Sequence, residues 1–278
     1  MGEQDGRVAI ITGGGRGQGR SHAVTLAEAG ANIVVCDIAA PVATTKYPMA
    51  TPLELAETVE LVEKTGQRCI SVQADVRRFE DMRRVADLAL EEFGRIDILC
   101  ANAGIMTLST MADMDDNTWQ TMIDINLTGV ANSIRAVLPT MVKQGYGRVV
   151  ATSSGAGRGG YANLSHYSAT KWGVIGLIKS VARETGKLGV NLNVVCPTTV
   201  PTPLFMNDAC HAVFRPDLDN PTIEDCMDRF VGMHAIPVPW IEAQDVSDAI
   251  LFLVGPRAKN VTGSVFDISA GLGAGNNA

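Results

Sequence analysis

A tyrosine and a lysine four residues apart, Tyr167 and Lys171, follow a serine thirteen residues upstream, Ser154, in the stretch SGAGRGGYANLSHYSATK (154–171). Residues i and i+4 of a helix share a face, so the phenol and the ammonium are expected to lie side by side. A free phenol titrates near pH ~10 and is a poor base at neutrality, and a neighbouring positive charge favours the phenolate. The spacing therefore suits an acid/base device, with the serine hydroxyl placed to hold the oxygen being worked on. By itself the pattern is weak, because such pairs scatter through helices, and an exposed helical face with one aromatic accounts for it equally well. What else the chain carries decides between the two.

The elements that must position these groups alternate along the chain. VAIIT (8–12), NIVVCD (32–37), RCISVQA (68–74), IDILCA (96–101), RVVATS (148–153), VNLNVVC (190–196) and SVFDIS (264–269) read as strands, apolar almost throughout, as strands covered on both faces are. Helix-length segments, 18–29, 79–93, 117–143, 165–187 and 243–254, lie between them. The pattern predicts an α/β chain: a single Rossmann-type, doubly wound parallel sheet of about seven strands, helices on both faces, in one domain spanning 1–278. With 46% hydrophobic and 19% charged residues the chain can fill such a core.

The first strand runs into Thr12-Gly13-Gly14-Gly15-Arg16-Gly17-Gln18-Gly19, a glycine-rich turn opening a helix. Glycines permit the tight turn, and the free N–H groups of the helix start favour a pyrophosphate. The second strand ends in Asp37, twenty residues after Gly17, where a carboxylate meets the ribose hydroxyls of a dinucleotide. Asp37 accepts from a 2′-hydroxyl and repels a 2′-phosphate, which predicts NAD. Arg16 pulls the other way, since a base in the turn can serve a 2′-phosphate; otherwise it is solvated or faces the pyrophosphate. The carboxylate carries more weight.

Taken together, Thr12-Gly13-xxx-Gly17-x-Gly19, Asn102-Ala103-Gly104, Asn126, Ser154 and Tyr167-xxx-Lys171 resemble, in order and spacing, the short-chain dehydrogenase/reductase family. The resemblance implies that Tyr167 is the general acid/base, that Lys171 lowers its pKa and holds the nicotinamide ribose, and that Ser154 binds the substrate oxygen. It places Asn126 at a bend in the long central helix, ordering a water in a proton relay. It assigns the cofactor to Gly13, Arg16, Gly17, Gln18 and Gly19 of the turn, to Asp37, to Asn102, Ala103 and Gly104, and to Tyr167 and Lys171. Asp75 and Val76 are implied to meet the adenine, although Asp75 also reads as a start cap for helix 79–93. Where the family commonly has Pro-Gly this chain has Pro197-Thr198-Thr199-Val200-Pro201-Thr202, and Pro197, Val200 and Thr202 are implied to hold the carboxamide. The family often has asparagine at the position of Ala101.

One segment departs from the common pattern. Thr51-Pro52-Leu53-Glu54 carries a helix-start signal, so residues 38–50 form a long insertion beside the adenosine end of the cofactor. Loops of that length in compact domains are more often functional than decorative. With PTTVPTP (197–203), the segment resembles the carveol-dehydrogenase-like branch of the family associated with mycofactocin. That resemblance implies a loop folded over NAD, with mycofactocin collecting the electrons. A second variable segment, 201–240, is rich in apolar residues and reads as a lid over a hydrophobic alcohol or ketone, or as a flap packing on the core or a second subunit. Met106, Ala156, Tyr161, Phe205, Met206 and Trp240 are the expected pocket residues. No cluster of positive charge offers to bind a carboxylate or phosphate, which favours a neutral apolar secondary alcohol, terpenoid in the resembling branch.

Composition narrows the classes further. A net charge of −7 without a basic cluster argues against nucleic acid and anionic membranes. No apolar run is long enough to span a bilayer, and Glu3 and Asp5 precede the first strand where a signal peptide would be basic, so a cytoplasmic location is expected. The six cysteines lack ligand spacing, and Cys36, Cys100 and Cys196 end strands as small hydrophobes, so no metal is expected. Two alternatives stand beside the dehydrogenase: a carbonyl or 3-oxoacyl reductase, which Asp37 disfavours, and a non-catalytic dinucleotide-binding protein, which would be free to lose Tyr167, Lys171 or Ser154. A homotetramer is implied by the family resemblance, through helices 117–143 and 165–187.

Overall fold

The computed structural model describes residues 2–274. Seven strands, β1 (Val8–Thr12), β2 (Asn32–Asp37), β3 (Cys69–Gln73), β4 (Ile98–Ala101), β5 (Gly147–Thr152), β6 (Val190–Pro197) and β7 (Val265–Ile268), form one parallel sheet in the order β3-β2-β1-β4-β5-β6-β7. Successive strand residues point to opposite faces, and both faces are apolar. Val8 and Ile10 of β1 enter one core with Val149, Leu192 and Val194, whereas Ala9 and Ile11 enter the other with Val150 and Val195. Helices α1 (Gly17–Glu28), α2 (Pro52–Glu63) and α9 (Ala243–Val254) fill the second core. On the opposite face lie α3 (Phe79–Phe93), α5 (Gly129–Gln144) and α6 (Ser165–Thr185).

Chain order reverses at β1, whose neighbours are β2 on one side and β4 on the other. A crevice opens at the carboxyl ends of strands at such a point, which is where doubly wound sheets bind ligands. Every chemical motif singled out in the sequence lies at that end of the sheet or just beyond it.

Two local features shape the crevice. The stretch expected as one helix over 117–143 is α4 (Asp116–Ile123), a π-helical turn (Asp124–Thr128) and α5. Such turns are commonly found at functional sites, and this one holds Asn126. The segment 38–51 has no regular structure and reaches α2 through the expected capping box: Thr51 Oγ1 accepts from Glu54 N, Glu54 accepts from Thr51 N at 2.8 Å, and Pro52 opens the helix. Beyond β6 the chain rises into α7 (Asp208–Phe214) and α8 (Ile223–Gly232), tied by Phe205, Phe214 and Phe230, which meet edge-on or tilted with ring centroids 4.9–5.8 Å apart. All six cysteines are buried free thiols. Among the described residues no helix is long and apolar enough to cross a membrane.

Candidate active site

At the end of β1 the glycine turn is built for close backbone approach. Gly13 has φ 68° and a Cβ there would lie 2.8 Å from Ala103 Cα. A Cβ on Gly19 would come within 2.1 Å of the Gly13 carbonyl oxygen, a backbone clash that no side-chain motion relieves. Thr12 ties this turn to the end of β4, its hydroxyl accepting from Asn102 N and Ala103 N, each at 3.1 Å. Asp37 sits across the crevice with both oxygens engaged, Oδ2 accepting from Gly15 N at 3.1 Å and Oδ1 from Ala39 N at 3.0 Å.

The crevice runs from Asp37, past Asp75 and Val76, to Asn102, Ala103 and Gly104, with Gly13, Gly17 and Gly19 on its floor and Thr202 at its inner end. Its shape and polar groups fit a dinucleotide: a helix start beside glycines, a carboxylate acceptor at the ribose position, and a buried acceptor, Gln18 Oε1, without a protein partner at the junction with the second cavity. Asp75 lines the crevice, with its carboxylate held by Arg77 through Nε at 2.9 Å and Nη2 at 2.5 Å. It does not cap α3, whose N-cap position is Arg78.

Arg16 has a role that neither sequence alternative contained. Its guanidinium donates to the carbonyl of Pro48 and lies 3.5 Å from Glu54 Oε1, so it clasps the insertion to the glycine turn. Farther along, Tyr47 is buried and its hydroxyl accepts from Met106 N at 3.0 Å. Val42, Tyr47, Met49 and Ala50 thus wall the crevice from the outside. These two anchors were invisible in the sequence because their partners are tens of residues away.

Deeper in, Ser154, Tyr167 and Lys171 converge on a cavity of about 390 Å³ that opens from the crevice. Lys171, at the i+4 position, is buried and donates from Nζ to Thr152 O at 2.9 Å, with Nζ 5.5 Å from the centre of the Tyr167 ring. Burial depresses the lysine to about 8. Burial pushes Tyr167 up to about 12, against a hydrogen bond from Ser154 that pulls it down. Desolvation therefore outweighs the Ser154 hydrogen bond, and the expected lowering of the phenol by Lys171 is not seen among this chain's own groups. Asn126, fully buried in the π-turn, accepts from Ile105 N and donates to Ile105 O, each at 2.8 Å. A Cβ on Gly104 would lie 3.3 Å from Asn126 Oδ1 and 3.6 Å from Lys171 Nζ, so the glycine faces both polar groups.

Of the expected pocket residues, Met106, Ala156, Tyr161 and Phe205 line the cavity. Met206 and Trp240 stand outside it, and Trp240 turns its indole N–H to Glu242 Oε1 at 3.2 Å. Aromatic content marked that stretch, but the indole faces Glu242, the N-cap of α9. Pro197, Val200 and Thr202 all reach this cavity, Thr202 and Gln18 lining both it and the crevice. Leu204, Cys210, Phe214, Met233 and Leu272 also form the walls; Phe214 and Met233 were read in the sequence only as apolar residues of the lid segment, and the other three were not singled out. The first four belong to the lid segment, whose apolar content was the available signal; Leu272 had none.

A parallel sheet with this strand order, a glycine turn at the switch point and a Ser-Tyr-Lys constellation at its carboxyl edge define a class of nucleotide-dependent oxidoreductase. Residues 7–211 match the family model described as short chain dehydrogenase, and the chain belongs to that family. It is 44% identical over 273 residues to the (−)-trans-carveol dehydrogenase of Rhodococcus erythropolis, covering 98% of this chain and 99% of that one. Among solved structures it superposes with a TM-score of 0.96 on carveol dehydrogenase from Mycobacterium avium in complex with NAD, at 44% identity and covering 98% and 99% of the two chains. A short chain dehydrogenase from Mycobacterium paratuberculosis bound to NAD follows at TM-score 0.89 and 33% identity, covering 98% of this chain and all of the other (100%).

Proposed function

We propose that this protein is an NAD-dependent dehydrogenase interconverting an apolar secondary alcohol, carveol-like in size and polarity, and its ketone. The observation that carries the reading is the meeting of Ser154, Tyr167 and Lys171 at the junction of a dinucleotide-shaped crevice and an otherwise apolar cavity. Bound NAD supplies the hydride acceptor and a positive ring charge. The chain supplies the rest. Ser154 orients the substrate oxygen, and Tyr167 takes the alcohol proton as the carbinol C–H bond breaks. Lys171, fixed by Thr152 O, keeps an ammonium under the phenol and reaches toward the ribose. Asn126 fixes the Ile105 backbone at the crevice wall and, facing Gly104 as Lys171 does, serves to order a water for proton relay. Asp37 selects the 2′-hydroxyl; Gly13, Gly17, Gln18 and Gly19 receive the pyrophosphate; Asp75 and Val76 flank the adenine; Val200 and Thr202, following Pro197, take the carboxamide.

The clasped insertion supports tightly held NAD, reoxidised in place by an external carrier such as mycofactocin. A homotetramer in the cytoplasm completes the reading, with the half-exposed Trp172 of α6 and Phe252 of α9 available to subunit contacts. The deciding measurement is mass spectrometry of the native and then the denatured protein, followed by turnover of carveol with an artificial acceptor. Retained NAD and acceptor-dependent oxidation of carveol are expected. A protein that binds NAD but oxidises no secondary alcohol, in a state where Tyr167→Phe changes nothing, would leave only the dinucleotide-binding alternative standing.

A further inference from the structure

Leu272 comes from beyond the last strand, yet it forms part of the substrate cavity. After Ile268 the chain leaves β7 and folds back through two consecutive left-handed residues, Ala270 (φ 47°) and Gly271 (φ 84°). A residue with a Cβ seldom adopts that conformation. Here the surroundings enforce it. The Ala270 carbonyl accepts from Ile236 N at 2.9 Å, and Gly271 fits so closely that a Cβ would lie 2.5 Å from the Cβ of Ala235. Leu272 N donates to Ser269 O at 2.8 Å and closes the turn.

The turn delivers the leucine to one spot. A Cβ on Gly155 would lie 2.9 Å from Leu272 Cδ2 and 3.8 Å from the Tyr161 hydroxyl oxygen. Gly155 directly follows Ser154, so the bare backbone at 155 and the side chain of 272 fit together as one wall beside the hydroxyl that holds the substrate oxygen. The lid's foot and the end of the chain are joined here by the Ile236–Ala270 hydrogen bond.

We infer that Leu272, seated on Gly155, is a specificity-determining residue that limits the bulk tolerated on the carbon next to the carbinol. The inference rests on the alcohol-dehydrogenase reading of this cavity and deepens it. Preferred substrates are secondary alcohols whose substituent at that adjacent carbon is no larger than a methyl group, as in carveol.

Cyclohexanol and 2-isopropylcyclohexanol form the test pair, and the quantity read is the ratio of their kcat/KM values. Leu272→Ala raises the bulky-to-small ratio at least about tenfold, the lower end for a single methylene in an apolar pocket. Gly155→Ala pushes the leucine into the cavity and lowers the ratio. In the double variant the Gly155→Ala effect disappears, because the side chain it displaced is gone; independent sites would give additive changes. Leu272→Met, which nearly conserves volume, keeps the wild-type ratio and guards against a general loosening of the chain end. A ratio unmoved by Leu272→Ala, or additive effects in the double variant, overturns the inference. Calorimetric binding of cyclohexanone and 2-isopropylcyclohexanone to the same proteins separates this from the activity itself. If the wild type oxidises neither alcohol but the ketone ranking still shifts with Leu272→Ala, the wall stands and the assigned activity falls. If that ranking is also fixed, the wall falls.

Discussion

Removing the two anchors of the insertion measures what it does to the cofactor. Tyr47→Phe deletes one neutral hydrogen bond and leaves Met106 N–H, donated at 3.0 Å in the wild type, without its partner beside a buried ring. A bond of that kind contributes about 1 kcal/mol, or roughly fivefold in the ratio of closed to open insertion. Arg16→Ala deletes a charged donor to the Pro48 carbonyl together with the contact to Glu54. Charged hydrogen bonds contribute about 1.5–3 kcal/mol, but both side chains are partly exposed, at 20% and 32%, so the ion pair adds little and the lower end applies. That gives about tenfold. If the insertion opens as one piece, the double variant releases NAD about fiftyfold faster than the wild type, the product of the two estimates. The assay is NAD dissociation followed by dilution into an excess of a fluorescent dinucleotide analogue, with Glu57→Gln as a control. Glu57 pairs with Arg20 and is bonded to neither anchor of the insertion. Identical release rates in wild type, both single variants and the double variant would refute the argument that the insertion gates the crevice. An increase in the Glu57→Gln control equal to that of the anchors would refute it equally.

Tyr167→Phe is expected to lower kcat by at least about 10²-fold while leaving NAD affinity within a factor of about two, as loss of a general acid/base does; steady-state rates and calorimetry read the two parts. Asp37→Ala frees the Gly15 and Ala39 amides and removes the carboxylate from the ribose position, so NAD affinity falls and the NADP-to-NAD preference rises about tenfold, read as kcat/KM for each cofactor. Lys171 bears on stability in alkali. Its folded pKa of about 8 lies below the ordinary lysine value of 10.5, so between these values the unfolded chain binds more protons and stability rises with pH. Tyr167, raised from 10.0 to about 12, acts with opposite sign only above pH 10. Wild-type melting temperature should therefore gain relative to Lys171→Met as pH increases from 8 to 10; parallel curves would show that the lysine is not desolvated.

How far the sequence reaches depends on whether the determinant is local. β1, β2 and α9 lie on the expected residues because both-face burial leaves an unbroken apolar run and a helical stripe in the chain itself. The start of α2 was equally legible, since Thr51, Pro52 and Glu54 satisfy each other within four residues. The π-turn at Asp124–Thr128 was not legible in the spacing; only the family resemblance placed a bend at Asn126. Its sequence, DINLT, keeps helical spacing, and the bend is associated with an Asn126 side chain bonded to Ile105, a partner on another segment. The same boundary divides the candidate site. Tyr167 and Lys171 were placed side by side by a four-residue spacing, yet the spacing could not say that both would be buried. Burial moves the phenol up and the ammonium down, away from the simple picture of a lysine acidifying a tyrosine. Arg16 shows the limit most sharply. Position in the glycine turn suggested a phosphate ligand, whereas its actual partners, Pro48 and Glu54, come from the insertion and the helix after it. A guanidinium already held by the insertion is a poor receptor for a 2′-phosphate unless that clasp opens. Cofactor choice and cofactor retention thus meet in one side chain, and the variant that loosens the insertion should also relax the preference against NADP.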